Sequence, residues 1–213
     1  MSREESWGKN CLKLLKRLLE KGPLLCRKEA SEYVECLKLL SEEGGAVEVS
    51  RGVKVLPEGF LMLLKQVLES GVSLESVLKS VNWRGFERVI AEVFRVKGFR
   101  VLEHFRFRIK KTVREIDVLV ETPSMLISID CKQWVKRNYN IHSASRLQFE
   151  RTRLLYQYLT GKENIRKPVY PLVVTFLDSE ARVLEGCLIL PVWKIGSLSE
   201  NPETVASIVK PVS

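Results

Sequence analysis

Residues 114–134, REIDVLVETPSMLISIDCKQW, constrain the fold more than any other stretch of the chain. They read as two strands joined through ETPSM, with two aspartates and a lysine set among core-forming residues. In a strand, successive side chains alternate between faces. Ile116, Val118 and Val120 then share one face, with Glu115, Asp117 and Leu119 on the other; in the second strand Asp130 and Lys132 project together, away from Ile129 and Cys131. Unpaired charges inside a sheet cost several kcal/mol, so their presence needs a reason. If the strands pair as a hairpin, the two carboxylates converge at one edge. They repel unless a cation sits between them, and an all-oxygen set suits Mg²⁺ or Mn²⁺. A lysine beside such an ion can stabilise charge on a phosphoryl oxygen or orient an attacking water. The competing reading is a buried ion pair of Asp130 with Lys132 or a neighbouring arginine. That explains one acid but not both.

Asp117 followed by IDCK, a D-x-K, resembles the PD-(D/E)xK nuclease superfamily, in which two strand acids and a lysine form the site. The order around it agrees: a helix with glutamate (FERVIAEVFRVKGFRV), a strand, the Asp117 strand, the D-x-K strand, a helix, then the apolar strand PLVVTF. The opening helix is similar to that of the Mrr-like and archaeal Holliday-junction-resolvase-like branches. Ile116 stands where the family has proline. The resemblance covers residues 83 to about 195 and implies a restriction-endonuclease-like α/β fold, a mixed sheet flanked by helices. It also implies metal held by Asp117, Asp130 and the main-chain carbonyl of Cys131, with Lys132 catalytic. Of the two helix glutamates, Glu87 borders the apolar stripe of Phe86, Val89, Ile90, Val93 and Phe94 and is carried over as the family's glutamate, reaching the metal through water. Glu92 falls with Arg88 and Arg95 on the polar face, as surface pairing.

The strand HFRFRIKKTVR alternates Phe105, Phe107 and Ile109 with His104, Arg106, Arg108 and Lys110, and Lys111 and Arg114 flank its turn. One face suits a core and the other suits phosphate. The loop after D-x-K adds Lys136, Arg137 and Tyr139 as candidate nucleic-acid contacts, the tyrosine by stacking. In the following helix Arg146 and Arg153 either reach phosphate or pair with Glu150.

The first 72 residues have a different pattern. A leucine-rich helix stops at Gly22-Pro23, a second is expected to start at Ser31 and end at Gly44-Gly45, Val47–Val55 alternate as a hairpin around Ser50-Arg51-Gly52, and GFLMLLKQVLESG closes the unit as a helix. This order resembles a winged helix-turn-helix domain, although Glu32 and Glu35 on its candidate recognition helix oppose phosphate. A connecting helix capped by Ser73 spans 73–82, and the nuclease-like domain runs from 83 to 213.

Charge follows the same division. Up to residue 80 there are 13 basic and 12 acidic side chains, and beyond it 22 and 14, so the second region is the one expected to meet a polyanion. No apolar run approaches the roughly 20 residues of a membrane span, and five scattered cysteines suggest neither a zinc site nor a disulfide framework. The sequence therefore predicts a cytoplasmic, Mg²⁺- or Mn²⁺-dependent nuclease of DNA without membrane association, with a homodimer compatible with symmetric cutting. The alternative is a DNA-binding or regulatory protein that keeps a nuclease-like fold without turnover.

Overall fold

A computed structural model of the protein describes residues 3–133, 140–162, 165–176 and 180–212. The chain divides into two compact units, Met1–Glu92 and Val93–Ser213. That division falls inside a helix which the sequence assigns wholly to the second.

The first unit contains α1 (Arg3–Lys21), β1 (Leu24–Cys26), α2 (Arg27–Ala30), α3 (Val34–Glu42), β2 (Ala46–Val49), β3 (Gly52–Val55), α4 (Pro57–Glu69), α5 (Leu74–Ser80) and most of α6 (Trp83–Arg95). Leucines at 14, 15, 18 and 19 bury one face of α1, and Phe60, Leu63, Leu64 and Val67 bury the matching face of α4. The hairpin forms where alternation places it, but β3 pairs on its other side with β1, giving a three-stranded antiparallel sheet. Arg17 ties β1 to α1 by donating to the carbonyls of Gly22 and Leu24 and to Glu29. Ser31 does not cap α3: it opens a single 3₁₀ turn, and its hydroxyl donates to the Lys28 carbonyl. Ser73 does cap α5, accepting from the Ser76 N–H at 3.1 Å. Close approach fixes α4 against the preceding loop. A Cβ on Gly59 would lie 1.9 Å from the Gly45 carbonyl oxygen.

The second unit is mixed α/β. Its strands are β4 (Arg100–Ile109), β5 (Thr112–Glu121), β6 (Leu126–Lys132), β7 (Val169–Thr175), β8 (Arg182–Leu184) and β9 (Cys187–Pro191), and its helices α7 (Ile141–Lys162), α8 (Ile195–Glu200) and α9 (Thr204–Ile208). The six strands form one sheet in the order β4-β5-β6-β7-β9-β8, with β6, β7 and β9 parallel and the remaining neighbours antiparallel. Strand β7 reads as a nearly continuous apolar run because it is interior and parallel to both neighbours, whereas β6 alternates apolar residues with Ser128, Asp130 and Lys132. Two details depart from the sequence pattern. Short β8 extends the sheet at one edge, and the chain closes with two short helices, α8 before Asn201 and α9 after it.

Helix α7 lies on the sheet through a face of two characters. Its second half buries Leu155 and Leu159 against Phe107, Ile116, Leu119 and Leu126, while its first half buries Ser145, Gln148 and Thr152. Gln148 Nε2 donates to the Ser128 carbonyl at 2.8 Å, and Thr152 bonds to the Ser128 hydroxyl at 3.1 Å. The polar half of the helix is thus locked onto the polar side of β6.

Strict alternation does not survive along β4 and β5. Leu102 lies opposite Leu119, which lies opposite Ser128 on the α7 side; yet Phe105, opposite Ile116, packs on Tyr158 of α7. Residues three apart in a regular strand face opposite ways, so both strands change face between these rungs. The change coincides with His104, whose backbone is left-handed at φ 53, and His104 and Asp117 are passed over in the β4–β5 ladder. The expected sharing of one face by Glu115, Asp117 and Leu119 is therefore corrected: the pleat inverts at Asp117.

Candidate active site at the end of the central strands

The acids meet where the ladder between β5 and β6 ends. Its last rung is Val118 with Ile129, and one step further along the same register stand Asp117 and Asp130. Beyond that rung a side chain replaces the main-chain pairing: the Cys131 N–H donates to Asp117 Oδ2 at 2.8 Å. The face change at His104 is what turns Asp117 out of the regular pleat and toward β6.

The two carboxylates differ in their surroundings. Asp130 is buried, and a cation approaches each of its oxygens: Arg151 Nη1 donates to Oδ1 at 2.9 Å, and Lys132 Nζ stands 2.7 Å from Oδ2. The lysine contact is an ion pair without hydrogen-bond alignment, since Oδ2 is buried and accepts no hydrogen bond among the described residues. Asp117 is half-buried and has the Cys131 amide as its hydrogen-bond donor. Burial, and then the charge of Asp130, push its carboxyl above the usual carboxylate value, against the opposing pull of the Cys131 N–H, Lys132 and Arg151. Close by, burial and then Asp130 push the buried Cys187 thiol up to about 12.

The ion-pair reading thus holds for Asp130, while Asp117 is left with less positive charge than a carboxylate in that position prefers. A divalent cation touching Asp117, Asp130 and the Cys131 carbonyl would supply the missing charge, so the donor chemistry fits Mg²⁺ or Mn²⁺. Among the described residues no group of three or more His, Cys, Asp and Glu side chains comes together, so two carboxylates with main-chain oxygen and water would form the set. Glu87 is buried and belongs to the first unit, whereas Asp117 and Asp130 belong to the second. Glu92 is also buried, which corrects its reading as a surface residue.

Arg151 is the site residue that the sequence motifs do not include. It follows buried Gln148 by three residues and precedes buried Thr152, and two such polar residues on the sheet-facing stripe are the signal that this turn of α7 faces polar strand residues. Thr175 of β7, paired in register with Lys132, buries a hydroxyl that has no hydrogen-bond partner among the described residues.

The basic strand behaves as its alternation suggests on one face. Phe105, Phe107 and Ile109 pack toward α7, and Arg108, Lys110, Lys111 and Arg114 are exposed at the end of the β4–β5 hairpin. Arg106 is exposed but paired with Glu115, which also meets His104. The hairpin turns through Lys110 and Lys111, and Lys110 is left-handed at φ 53, where glycine or asparagine is the usual occupant. Lys136, Arg137 and Tyr139 lie outside the described residues. Arg153 pairs with Glu150 at 2.7 Å, and Arg146 stands 3.8 Å from Glu185.

No family model matches the chain. An uncharacterized protein of Archaeoglobus fulgidus is 25% identical over 123 residues, which are 57% of this chain and 92% of that one. Among solved structures, protein VC1899 from Vibrio cholerae is 16% identical with a TM-score of 0.31, over 95% of this chain and 52% of that chain. Can2 from Sulfobacillus thermosulfidooxidans, in complex with cyclic tetra-adenylate, is 10% identical with a TM-score of 0.37, over 94% of this chain and 52% of that chain. The chain spans about half the length of these two proteins. At such TM-scores neither likeness bears on its fold family or its chemistry. Among the described residues no helix is long and apolar enough to cross a membrane.

Proposed function

We propose that this protein is a Mg²⁺- or Mn²⁺-dependent nuclease of the PD-(D/E)xK type that hydrolyses phosphodiester bonds in DNA. The second unit is read as a restriction-endonuclease-like domain and the first as a winged-helix-like module. The observation that carries the reading is the placement of Asp117 and Asp130 one register step beyond the last β5–β6 rung, with Lys132 at Asp130 and the Asp117 carboxyl raised by burial and by its neighbour.

In this reading Asp117, Asp130 and the Cys131 carbonyl hold the ion. When bound, such an ion polarises the phosphodiester and acidifies water. Lys132 orients the attacking water and offsets the negative charge that grows on the phosphoryl oxygens as the new P–O bond forms and the old one breaks. Exposed Arg108, Lys110, Lys111 and Arg114, with Arg106, Lys136, Arg137 and Tyr139, form the candidate DNA contacts. The protein would work in the cytoplasm, and a homodimer would suit symmetric cutting.

The double pairing of Asp130 favours one alternative: a DNA-binding protein that keeps this arrangement as a buried ion-pair cluster without turnover. The test is cleavage of labelled single-stranded, duplex and four-way-junction DNA with Mg²⁺ or Mn²⁺. Cleavage by the wild type that is absent from Asp130→Ala and Lys132→Ala supports the nuclease. Binding without cleavage under either metal supports the alternative.

A further inference from the structure

Asp130 already holds two cations, and the proposed metal needs one of its oxygens. Lys132 is two residues from Asp130 on the same strand and the same face, and in the nuclease reading it stays there to act on the attacking water. Arg151 comes from α7, is about a quarter exposed, and spends a single N–H on Asp130 Oδ1. A guanidinium carries five N–H donors in a planar fork suited to phosphate. Among the described residues Arg151 makes no other hydrogen bond.

We propose that Arg151 is an exchangeable cation of the site: it neutralises Asp130 at rest, and on metal entry it moves from the carboxylate to the phosphate of the substrate. This deepens the nuclease reading and rests on it. The placement of charge supplies the reason. Of the four groups Asp117, Asp130, Lys132 and Arg151, the two cations both stand at Asp130, so the positive charge of the resting cluster is gathered on one acid and not on Asp117. A divalent ion beside Asp130 leaves the guanidinium facing like charge at short range, where repulsion is strong because the site is half dry. A phosphate at the same edge then offers Arg151 a bidentate anionic partner. The Gln148 and Thr152 bonds to Ser128 hold the backbone of α7 on either side, so that the side chain moves and the helix does not.

Two probes separate this from a structural role: Mn²⁺ alone by titration calorimetry, and inorganic phosphate with and without saturating Mn²⁺. Arg151→Met removes the charge and keeps the length; Arg151→Lys keeps the charge and loses the fork. The expected result is Mn²⁺ binding about tenfold tighter in Arg151→Met than in the wild type, because a competing cation is gone, and Mn²⁺-dependent phosphate binding about tenfold weaker. Arg151→Lys should bind Mn²⁺ like the wild type and phosphate more weakly. Because Lys132 still faces Asp130 in both variants, folding is retained and is checked by the thermal midpoint.

Unchanged or weaker Mn²⁺ binding in Arg151→Met overturns the exchange and leaves the nuclease reading standing, provided that the wild type binds Mn²⁺ and Asp117→Asn does not. A wild type that binds no Mn²⁺ overturns both. Phosphate binding that survives Arg151→Met unchanged overturns the transfer to phosphate.

Discussion

The Cys131 N–H donates to Asp117 Oδ2 just beyond the rung at which β5 and β6 stop pairing, so one carboxylate oxygen has a firm donor while its carboxyl remains raised by burial and by Asp130. An acid whose folded pKa lies above its unfolded one binds more protons in the native state. Its charged form therefore destabilises the fold as pH rises from the usual aspartate value through the raised one. Asp117→Asn keeps an acceptor for Cys131 and removes that charge. In EDTA at neutral pH its thermal midpoint should exceed the wild type's by roughly 2–5 °C, and the difference should shrink as pH falls below the usual aspartate range. Scanning calorimetry across pH checks both, and a lower midpoint at neutral pH would oppose this account of Asp117.

Glu121 behaves in the opposite way. It accepts from Lys167 at 2.9 Å and from Arg100 at 3.1 Å, and the lysine bond is the largest cause holding its carboxyl below the usual glutamate value. A lowered folded pKa gives stability that is present above the unfolded value and lost as pH falls through the folded one. Glu121→Gln should cost up to about 1 kcal/mol at pH 7, given partial exposure. Denaturant titrations at pH 7 and pH 3 should show that difference disappearing at the acid end.

Gln148 joins α7 to β6 at a buried position, and its truncation removes its bonds to the carbonyl and the hydroxyl of Ser128. Gln148→Ala should destabilise the protein by about 2–3 kcal/mol. It should also weaken cleavage, because the turn of α7 that carries Arg151 loses its anchor. Thr175→Val makes the contrasting case. The buried Thr175 hydroxyl has no partner among the described residues, so its removal should raise stability, by about 1 kcal/mol. Urea midpoints for the two variants should move in opposite directions.

Lys110 occupies a left-handed backbone position at the tip of the β4–β5 hairpin, where a non-glycine residue costs roughly 1–2 kcal/mol. Lys110→Gly should therefore stabilise the fold while weakening DNA binding. The salt dependence of binding should flatten, with the slope of log K against log[salt] falling by about 0.9 for duplex DNA if one phosphate contact is lost. Fluorescence anisotropy over a range of NaCl concentrations measures this, and an unchanged slope would remove Lys110 from the DNA surface.

Much of the second unit was legible because its signals are local. Alternation in LISIDCK places Asp130 and Lys132 together, and the apolar run of β7 marks an interior strand. What stayed hidden depends on tertiary placement. HFRFRIKK taken alone hides the inversion at His104, because its alternation begins there; the break in period lies just before it, where Glu103 and His104 set two polar residues between Leu102 and Phe105. Arg151 reaches Asp130 only because the helix crosses over β6, and the one local hint is the pair of buried polar residues beside it. Glu92 looked exposed from helical periodicity, yet it is buried with Phe86, Glu87, Ile90 and Phe94, so α6 does not keep the polar face that the periodicity suggests. In the first unit the three residues of β1 are too few to show a period, so the third strand appears only through its pairing with β3.

The most direct test of the central claim compares wild type and Asp117→Asn for Mn²⁺ binding by calorimetry and for Mn²⁺-dependent DNA cleavage on the same preparations. The account predicts that the variant, although more stable in EDTA, loses both Mn²⁺ binding and cleavage. Cleavage retained by Asp117→Asn, or Mn²⁺ binding equal in the two proteins, would contradict it.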